Sequence, residues 1–576
     1  MRGYVHELVN HLEGDDLEEE STEMLVENAL EEFAGKEPQL CKDPVTSRAV
    51  ERLIKSFTTK QMSGFMKCIM VGDDERTVGM IIDPFASHVV EHLFDRVKAL
   101  QKEQEPVVEA LSEALDGLCE SLRDTDRLVN IATHKYGSHV LRSLFVLLSG
   151  IEYPTTRSKS GWNKIFSFSI DKVQDLAQLK VNKDFLGWKD RMSRNVLNLD
   201  GHQIVQMAYD QYGSPALQTF LQCTMGEPHS RNLICKLLAS SSGGEGSAGA
   251  SGASSISICP SMFQGLSEHN IASHLMEAVF IASDPALHSA IYEQCLKGRM
   301  KDYVLHPYAN FVVQALLTCV TDKNVAKALA AELVDHFDLL LRSNKGGVIA
   351  ATLNAALRLN VKVKKVYGAV EAIAMSRLGV SEDDVEGDQA KAMLVTALLS
   401  IDKKNTYDNG HGGETTSKCP LVTRLGCTIV STLLKFPPDK YVKRIFKSMS
   451  RLDCDQILHI ASDLAGVRAL ESFLDSPAEP KLKFRMVETL GTKAGEAAAM
   501  SQASFFVGKC FRWSRRQAKE DIMDGIIANK ARVLRTSRGP GLVNLLEVDL
   551  YQRNKEDWKM HIAKKEAVKQ SYEKMF

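Results

Sequence analysis

A short phrase recurs along the chain, and this repetition constrains the fold more than any other feature of the sequence. The clear copies read DPFASHVVEHL from Asp83, HKYGSHVLRSL from His134, DQYGSPALQTF from Asp210, IASHLMEAV from Ile271 and HPYANFVVQAL from His306. Weaker copies read SRAVE from Ser47, VRALE from Val467 and SFFVG from Ser504. Uninterrupted neighbouring copies lie about 36 to 40 residues apart, a spacing typical of helical hairpins in solenoids. The chain is therefore predicted to be one repeat array.

Helical geometry divides each copy into two faces. At ~100° per residue, the first small or polar residue of a copy, here called the anchor, shares one face with the residues one and four positions later. In the copy at Asp83 these are Ser87, His88 and Glu91, whereas Val89 and Val90 lie on the opposite face. We call the helix that carries the anchor the anchor helix, and its polar side the anchor face. The apolar side is predicted to be core.

Composition excludes several classes of protein. The net charge of −2, from 71 Lys and Arg against 73 Asp and Glu, excludes a broadly basic surface, so any nucleic-acid site must be local. No apolar run approaches the ~20 residues of a membrane span, and the acidic start differs from a targeting peptide. The 12 cysteines include no C-x-x-C pair, which favours reduced, buried thiols.

One apparent enzyme motif is better explained by the repeat pattern than by catalysis. The segment HVVEH from His88 to His92 matches the H-x-x-E-H pattern of zinc proteases. The equivalent copies at Ser138 and Ser273 keep the first histidine and lack the second. No nucleophile with spaced partners and no phosphate-binding loop was found either. We therefore expect no catalysis, no metal and no cofactor.

The trio of side chains on the anchor face resembles that of the Pumilio family of RNA-binding repeat proteins, over residues 36–550. The resemblance implies an all-α solenoid curved into a C shape, with at least eleven repeats and single-stranded RNA on its concave face. It also implies that the anchor and the fourth residue after it hydrogen-bond one base, while the next residue stacks between bases. The implied RNA-binding residues are Ser47, Arg48, Glu51, Ser87, His88, Glu91, Ser138, His139, Arg142, Ser214, Gln218, Ser273, His274, Glu277, Asn310, Phe311, Gln314, Arg468, Glu471 and Phe505.

Three further copies keep the apolar pattern and lose the polar one. Their anchor-face residues are Gly347, Val348 and Ala351; Cys427, Thr428 and Ser431; and Pro540, Gly541 and Asn544. Since none of these sets carries Gln or Glu at the fourth position, they are predicted to serve curvature, end-capping or backbone contact.

The uneven spacing of the repeats and the sequence at the end of the chain resemble those of one subclass of the family, the nucleolar Pumilio-like proteins of ribosome biogenesis. This implies a nuclear and nucleolar monomer that binds small-subunit pre-ribosomal RNA, with pre-ribosomal proteins as further partners and no membrane. Two alternatives stay open at this point. One is a cytoplasmic Pumilio protein that regulates messenger RNA, and the other is a HEAT-like scaffold that binds proteins.

The predicted organisation follows from spacing and composition. An acidic helical cap is expected over residues 1–35, the repeat array over 36–550 and a helical tail over 551–576. Within the array we expect an insertion at about 150–195 and a flexible linker at 240–256, which is rich in Gly and Ser. Residues 360–420 hold either a long insertion or a degenerate twelfth repeat near residue 392.

The resemblance also implies an order of bases, since the family binds RNA antiparallel to its repeats. Glu is an acceptor and suits the N1–H and N2–H donors of guanine, whereas Arg is a donor and suits the acceptors of cytosine. Gln does both, with Asn at the anchor favouring uracil and Ser favouring adenine. Repeats six to one then read 5′-UGACGG-3′. The prediction of adenine is less well supported, because Pro215 occupies the stacking position of that repeat. The prediction of the last guanine is less well supported because Ser47 lies in a poorer copy.

Overall fold

The structure, a computed structural model, describes residues 19–71, 74–103, 107–150, 185–239, 257–377, 388–401, 421–437 and 439–573. Within these ranges the regular secondary structure is helical and no strand is present. The all-α repeat fold predicted from the recurring phrase is thereby confirmed. The chain divides into two compact units, Met1–Val325 and Ala326–Phe576. None of the described helices combines the length and apolar character needed to cross a membrane.

The first unit contains six repeats of three helices each. Repeats one to three are α1 (Glu19–Phe33), α2 (Glu37–Lys42) and α3 (Thr46–Leu53); α4 (Thr59–Met70), α5 (Asp74–Ile81) and α6 (Ala86–Lys102); and α7 (Val107–Ser121), α8 (Thr125–Ala132) and α9 (Gly137–Ser149). Repeats four to six are α10 (Leu186–Asn198), α11 (Gly201–Tyr209) and α12 (Gly213–Cys223); α13 (Pro228–Leu238), α14 (Pro260–Glu268) and α15 (Ala272–Ala282); and α16 (Pro285–Ile291), α17 (Met300–Leu305) and α18 (Ala309–Cys319). A π-helical turn, Tyr292–Leu296, extends α16.

The second unit begins within α19 and contains five repeats. Repeats seven and eight are α19 (Lys323–Val334), α20 (Phe337–Arg342) and α21 (Gly346–Leu359); and α22 (Val363–Arg377), α23 (Asp388–Leu399) and α24 (Arg424–Leu434). Repeats nine to eleven are α25 (Val442–Met449), α26 (Cys454–Ala461) and α27 (Leu464–Asp475); α28 (Pro480–Leu490), α29 (Ala494–Ala498) and α30 (Ser504–Trp513); and α31 (Arg516–Ala528), α32 (Lys530–Leu534) and α33 (Gly539–Leu546). Two further helices, α34 (Val548–Arg553) and α35 (Lys555–Glu573), follow.

Each repeat has one helix more than the hairpin expected from the spacing. A short middle helix lies between the long partner helix and the anchor helix, as α8 does in repeat three. It begins as a separate helix because the Asp124 side chain accepts a hydrogen bond from the backbone N–H of Arg127, which satisfies a donor that the first turn leaves free. The anchor helix itself was correctly anticipated.

The anchor helices pack side by side within each unit, from α3 to α18 in the first and from α21 to α33 in the second. Their apolar side is core, with Val89, Val90 and Leu93 fully buried. A small residue precedes most anchors because this position touches the middle helix. A Cβ added to Gly466 would lie 2.2 Å from the carbonyl oxygen of Ile460. The close approach determines how each anchor helix sits in its repeat.

The predicted boundaries can be compared with the helices in the described ranges. Helix α1 occupies part of the predicted acidic cap, and the separation of this cap from the array stays a prediction. Helix α23 packs against α24 and α25, which makes it the middle helix of repeat eight. Most of the insertion at 150–195 and all of the linker at 240–256 lie outside the described residues, as do residues 378–387 and 402–420.

The C-terminal helices cover the end of repeat eleven. Trp558 of α35 is buried, and its indole N–H donates to the carbonyl oxygen of Leu546 at 3.0 Å. Its ring meets Tyr551 edge-on, with 4.8 Å between ring centroids. The Tyr551 hydroxyl donates to Asp524 of α31 at 2.9 Å. The end of a repeat array needs such a cover because no further repeat buries its apolar side.

Candidate nucleic-acid interface

The start of each anchor helix in the first unit is held by one side chain, four positions before the anchor. In repeat two, Asp83 Oδ1 accepts from the backbone N–H groups of Phe85 at 2.8 Å and Ala86 at 2.9 Å. In repeat three, His134 Nδ1 takes the same role at 3.3 Å from two backbone nitrogens. Asp43, Asp210, His269 and His306 do so in the other repeats.

No role was predicted from the sequence for these capping residues, although they begin four of the five clear copies of the phrase. The available signal was the recurrence of Asp or His, two side chains that can accept a hydrogen bond, at one fixed distance from the anchor. Capping positions the first turn of the anchor helix. The direction of every side chain on the anchor face depends on that turn.

The anchor face of the first unit has the same graded exposure in each repeat. The anchors Ser47, Ser87, Ser138, Ser214, Ser273 and Asn310 are buried. At the next position Arg48, His88, His274 and Phe311 are exposed, whereas His139 and Pro215 are half-buried. At the fourth position Glu51, Gln218, Glu277 and Gln314 are half-buried, whereas Glu91 and Arg142 are buried. In every repeat of the first unit the second residue of the trio is thus more exposed than the anchor.

Two of the trios are linked by hydrogen bonds along their own helix. The Gln314 side-chain amide donates to Asn310 Oδ1 at 3.0 Å, and that of Gln218 donates to Ser214 Oγ at 3.2 Å. Positions four residues apart are neighbours on a helix, so each pair presents one joined set of donors and acceptors. Both Gln side chains keep their carbonyl oxygen and one N–H available beyond this bond.

Two other trios contain a histidine beside a glutamate. His274 Nδ1 lies 3.1 Å from Glu277 Oε1, and His88 Nδ1 lies 3.5 Å from Glu91 Oε2. The hydrogen bond to Glu277 raises the pKa of His274, and the hydrogen bond to Glu91 raises the pKa of His88. Glu91 is only 4% exposed, and its Oε1 accepts a further hydrogen bond from Ser143 Oγ of the next repeat at 3.2 Å.

Repeat three presents a basic trio. Arg142 is 7% exposed, and burial lowers its pKa to about 10 while Glu91 opposes that shift. Its Nη2 lies 2.8 Å from His139 Nδ1. Burial and the charge of Arg142 lower the pKa of His139, so the imidazole is neutral and accepts this bond. The Ser138 hydroxyl donates to the carbonyl oxygen of Tyr212 at 2.7 Å, which leaves its oxygen as an acceptor.

The candidate stacking residues differ in solvent exposure and in their position in the helix. Phe311 is 50% exposed and sits beside Tyr308, which is 41% exposed. Pro215 lies in the first turn of α12, where the missing N–H disrupts no helical hydrogen bond. The Ser87 hydroxyl is buried and has no hydrogen-bond partner among the described residues.

The second unit carries the remaining predicted residues in a different setting. Arg468 is exposed, whereas the Glu471 carboxylate lies 3.7 Å from Lys509 Nζ of the next anchor helix. Phe505 is 59% exposed, and the guanidinium of Arg538 lies 4.6 Å from its ring centroid. A positive charge at that distance is attracted by the ring face.

One residue of the second unit lies in the core, although the repeat spacing places it on the anchor face. Val348, which the register places at the stacking position of repeat seven, is fully buried. The turn before α21 contains Asn344 with a φ of 57°, a left-handed conformation. We attribute the inward position of Val348 to this turn and to the apolar side chain itself, which is more stable in the core.

The described residues contain no group of three or more His, Cys, Asp or Glu side chains placed to hold a metal ion. Within the HVVEH segment, His92 Nδ1 lies 2.8 Å from the carbonyl oxygen of His88 on the preceding turn. His88 itself faces Glu91. His88 and Glu91 belong to the trio of repeat two, whereas His92 contacts the preceding turn of its own helix.

Rows of three-helix repeats, most of which carry polar or aromatic side chains at the trio positions of the anchor face, define a Pumilio-type repeat protein. The chain belongs to the family described as the NOP9-like PUF repeat domain, whose model matches residues 35–539. The family resemblance stated from the sequence is thereby confirmed. The chain is accordingly an RNA-binding repeat protein.

Several relatives match over nearly the whole chain. Pumilio homolog 23 of Arabidopsis thaliana is 24% identical over 583 residues, which cover 99% of this chain and 73% of the relative. Nucleolar protein 9 of Schizosaccharomyces pombe is 20% identical, with 97% of this chain and 82% of the relative covered. A solved structure of APUM23 with GGAAUUGACGG has a TM-score of 0.75 at 23% identity, covering 97% of this chain and 98% of that chain.

The names of these relatives bear on location. Nucleolar protein 9 is the name shared by fungal and human relatives of the chain. The nuclear and nucleolar localisation expected from the sequence is confirmed by them, and with it a general role in ribosome biogenesis.

Proposed function

We propose that the first unit binds single-stranded RNA with the core sequence 5′-UGACGG-3′, one base per repeat. The 5′ uracil meets repeat six and the 3′ guanine meets repeat one. The natural target in this proposal is small-subunit pre-ribosomal RNA. The single observation that carries it is the pattern of exposure on the anchor face. The anchor helices of six successive repeats present a buried anchor, a more exposed second residue and a polar fourth residue.

The chemistry of the fourth residue supports each letter of the core. The carboxylates of Glu51, Glu91 and Glu277 accept the N1–H and N2–H of guanine, and the guanidinium of Arg142 donates to cytosine. Gln218 and Gln314 present a donor and an acceptor together. Asn310 beside Gln314 favours uracil, and Ser214 beside Gln218 favours adenine.

A second line of support comes from the RNA in the APUM23 structure. That RNA, GGAAUUGACGG, ends in the six letters proposed here. The UGUA-led elements associated with cytoplasmic Pumilio proteins do not contain this core. We therefore favour pre-ribosomal RNA over messenger RNA as the target, with proteins of the pre-ribosomal particle as further partners of a monomeric chain.

The proposal is tested by selection from a random RNA pool, followed by binding assays on the Glu91→Gln variant. Selection should return UGACGG, and the variant should lose its preference for guanine at the fifth letter, by ~1–3 kcal/mol for one base contact. Recovery of UGUA-led RNA, or an unchanged guanine preference, would contradict the register. Equal binding to duplex and single-stranded RNA would contradict the mode of binding. Crosslinking in cells then identifies the natural RNA.

A further inference from the structure

Glu91 is held by a residue of a different repeat. Ser143 on α9 of repeat three donates its hydroxyl to Glu91 Oε1 on α6 of repeat two, at 3.2 Å. Both side chains are buried, with Glu91 4% and Ser143 7% exposed. A carboxylate taken out of water needs hydrogen-bond partners to remain charged, and Ser143 supplies one from outside the trio of Glu91.

The other side of the same carboxylate faces His88. His88 Nδ1 lies 3.5 Å from Oε2, while Ser143 contacts Oε1. An ionised carboxylate has about four lone-pair sites on its two oxygens. Contacts from two sides therefore restrict the rotation of the carboxylate while lone pairs remain for the two N–H donors of a guanine edge.

The position of Ser143 is not used in this way in the neighbouring repeats. Thr219 is the equivalent residue of repeat four, and its hydroxyl donates to the carbonyl oxygen of Pro215 in its own helix at 2.9 Å. Ala315 is the equivalent residue of repeat six, next to the repeat that carries Glu277, and it has no hydroxyl. Glu277 is also less enclosed, with 27% of its side chain exposed.

We propose that Ser143 is a positioning residue for base recognition, which orients Glu91 across the repeat boundary and thereby sharpens the choice of guanine at the fifth letter. This inference rests on the proposed function. It means that repeats two and three do not read their bases independently, because a residue of repeat three sets the geometry with which repeat two reads.

The test compares Ser143→Ala with the native protein on UGACGG and on UGACAG, which changes the fifth letter alone. Loss of one hydrogen bond to a charged group should reduce the preference for guanine by about tenfold or more. Discrimination at the second letter, measured with UAACGG, should be unchanged because Glu277 does not contact Ser143. Thr219→Val is the matched control, since it removes a buried hydroxyl whose hydrogen bond stays within its own helix and reaches no fourth-position side chain.

Full retention of the fifth-letter preference in a folded Ser143→Ala protein would overturn the inference. If Glu91→Gln removes the preference in the same assay, the proposed register stands and the positioning role alone is wrong. If neither variant changes the preference, the register itself is wrong and the inference fails with it. Should Ser143→Ala fail to fold, Ser143→Cys keeps the volume with a weaker donor and is expected to give a smaller loss of preference.

Discussion

At the scale of single residues, the pKa values of the anchor-face histidines are shifted in opposite directions, upward in repeats two and five and downward in repeat three. The carboxylates beside His88 and His274 raise the pKa of each imidazole, whereas burial and Arg142 lower the pKa of His139. Near neutral pH the first two are therefore more readily cationic and the third is neutral. The same type of side chain thus holds a proton more readily in repeats two and five than in repeat three, where it accepts a hydrogen bond from Arg142.

The His274 and Glu277 pair gives a pH dependence of stability. Since the pKa of His274 is raised, the pair stabilises the fold fully below the ordinary imidazole pKa of about 6.5, and the contribution is lost as the pH rises through the raised value. The loss of thermal stability in Glu277→Gln should therefore be larger at about pH 5.5 than at about pH 8.5. NMR titration should place the pKa of His139 below that of His274. The reverse order, or equal losses at both pH values, would contradict this account.

Stacking is the second prediction at this scale. His88→Ala and Phe311→Ala should each weaken binding of UGACGG RNA by ~1–3 kcal/mol, because each removes a ring that we propose stacks between bases. His202→Ala is a suitable control, since His202 is exposed on α11 away from the anchor face. Fluorescence anisotropy measures the affinities, and circular dichroism checks the fold. Unchanged affinity in the double variant would rule out stacking by these two residues.

At the scale of helices, the approach of each anchor helix to its middle helix is set by the small residue before the anchor. Gly466 lies against the carbonyl of Ile460 and has no room for a Cβ. Gly466→Ala should therefore displace α27 and lower the free energy of unfolding by ~1–3 kcal/mol. Chemical denaturation followed by circular dichroism measures the change.

The matched control for this substitution is Gly368→Ala in the same unit. Gly368 lies inside α22, and a Cβ at this position would meet nothing within 4 Å. Alanine is favoured over glycine inside a helix, so the control should stabilise the protein by about 0.5–1 kcal/mol. If both variants were equally stable, the close contact at Gly466 would not limit the packing of α27.

At the scale of the whole molecule, the two units differ in the chemistry of their anchor faces. The six trios proposed to read bases all lie in the first unit, whereas the second unit holds the three degenerate copies and pairs Glu471 with Lys509. Ala351→Ser and Ser431→Ala should therefore leave the selected RNA sequence unchanged. Selection from a random pool by both variants provides the check, with Glu91→Gln as the positive control. A changed preference at one nucleotide would show that repeats seven or eight also read bases.

The sequence alone was sufficient to predict the period, the two faces and the residues of each trio. These properties depend on the rotation of side chains about a single helix, and that rotation is nearly the same in every α-helix. Ser87, His88 and Glu91 on one side and Val89 and Val90 on the other therefore follow from spacing. The family could be recognised because the same spacing returns in many copies.

Tertiary structure decided what each trio touches. The bond from Ser143 to Glu91, the ion pair of Lys509 with Glu471 and the burial of Val348 join or separate residues on different helices or turns. Spacing within one helix cannot give these contacts, because they depend on the distance and angle between helices, which the packing of side chains from several repeats sets together.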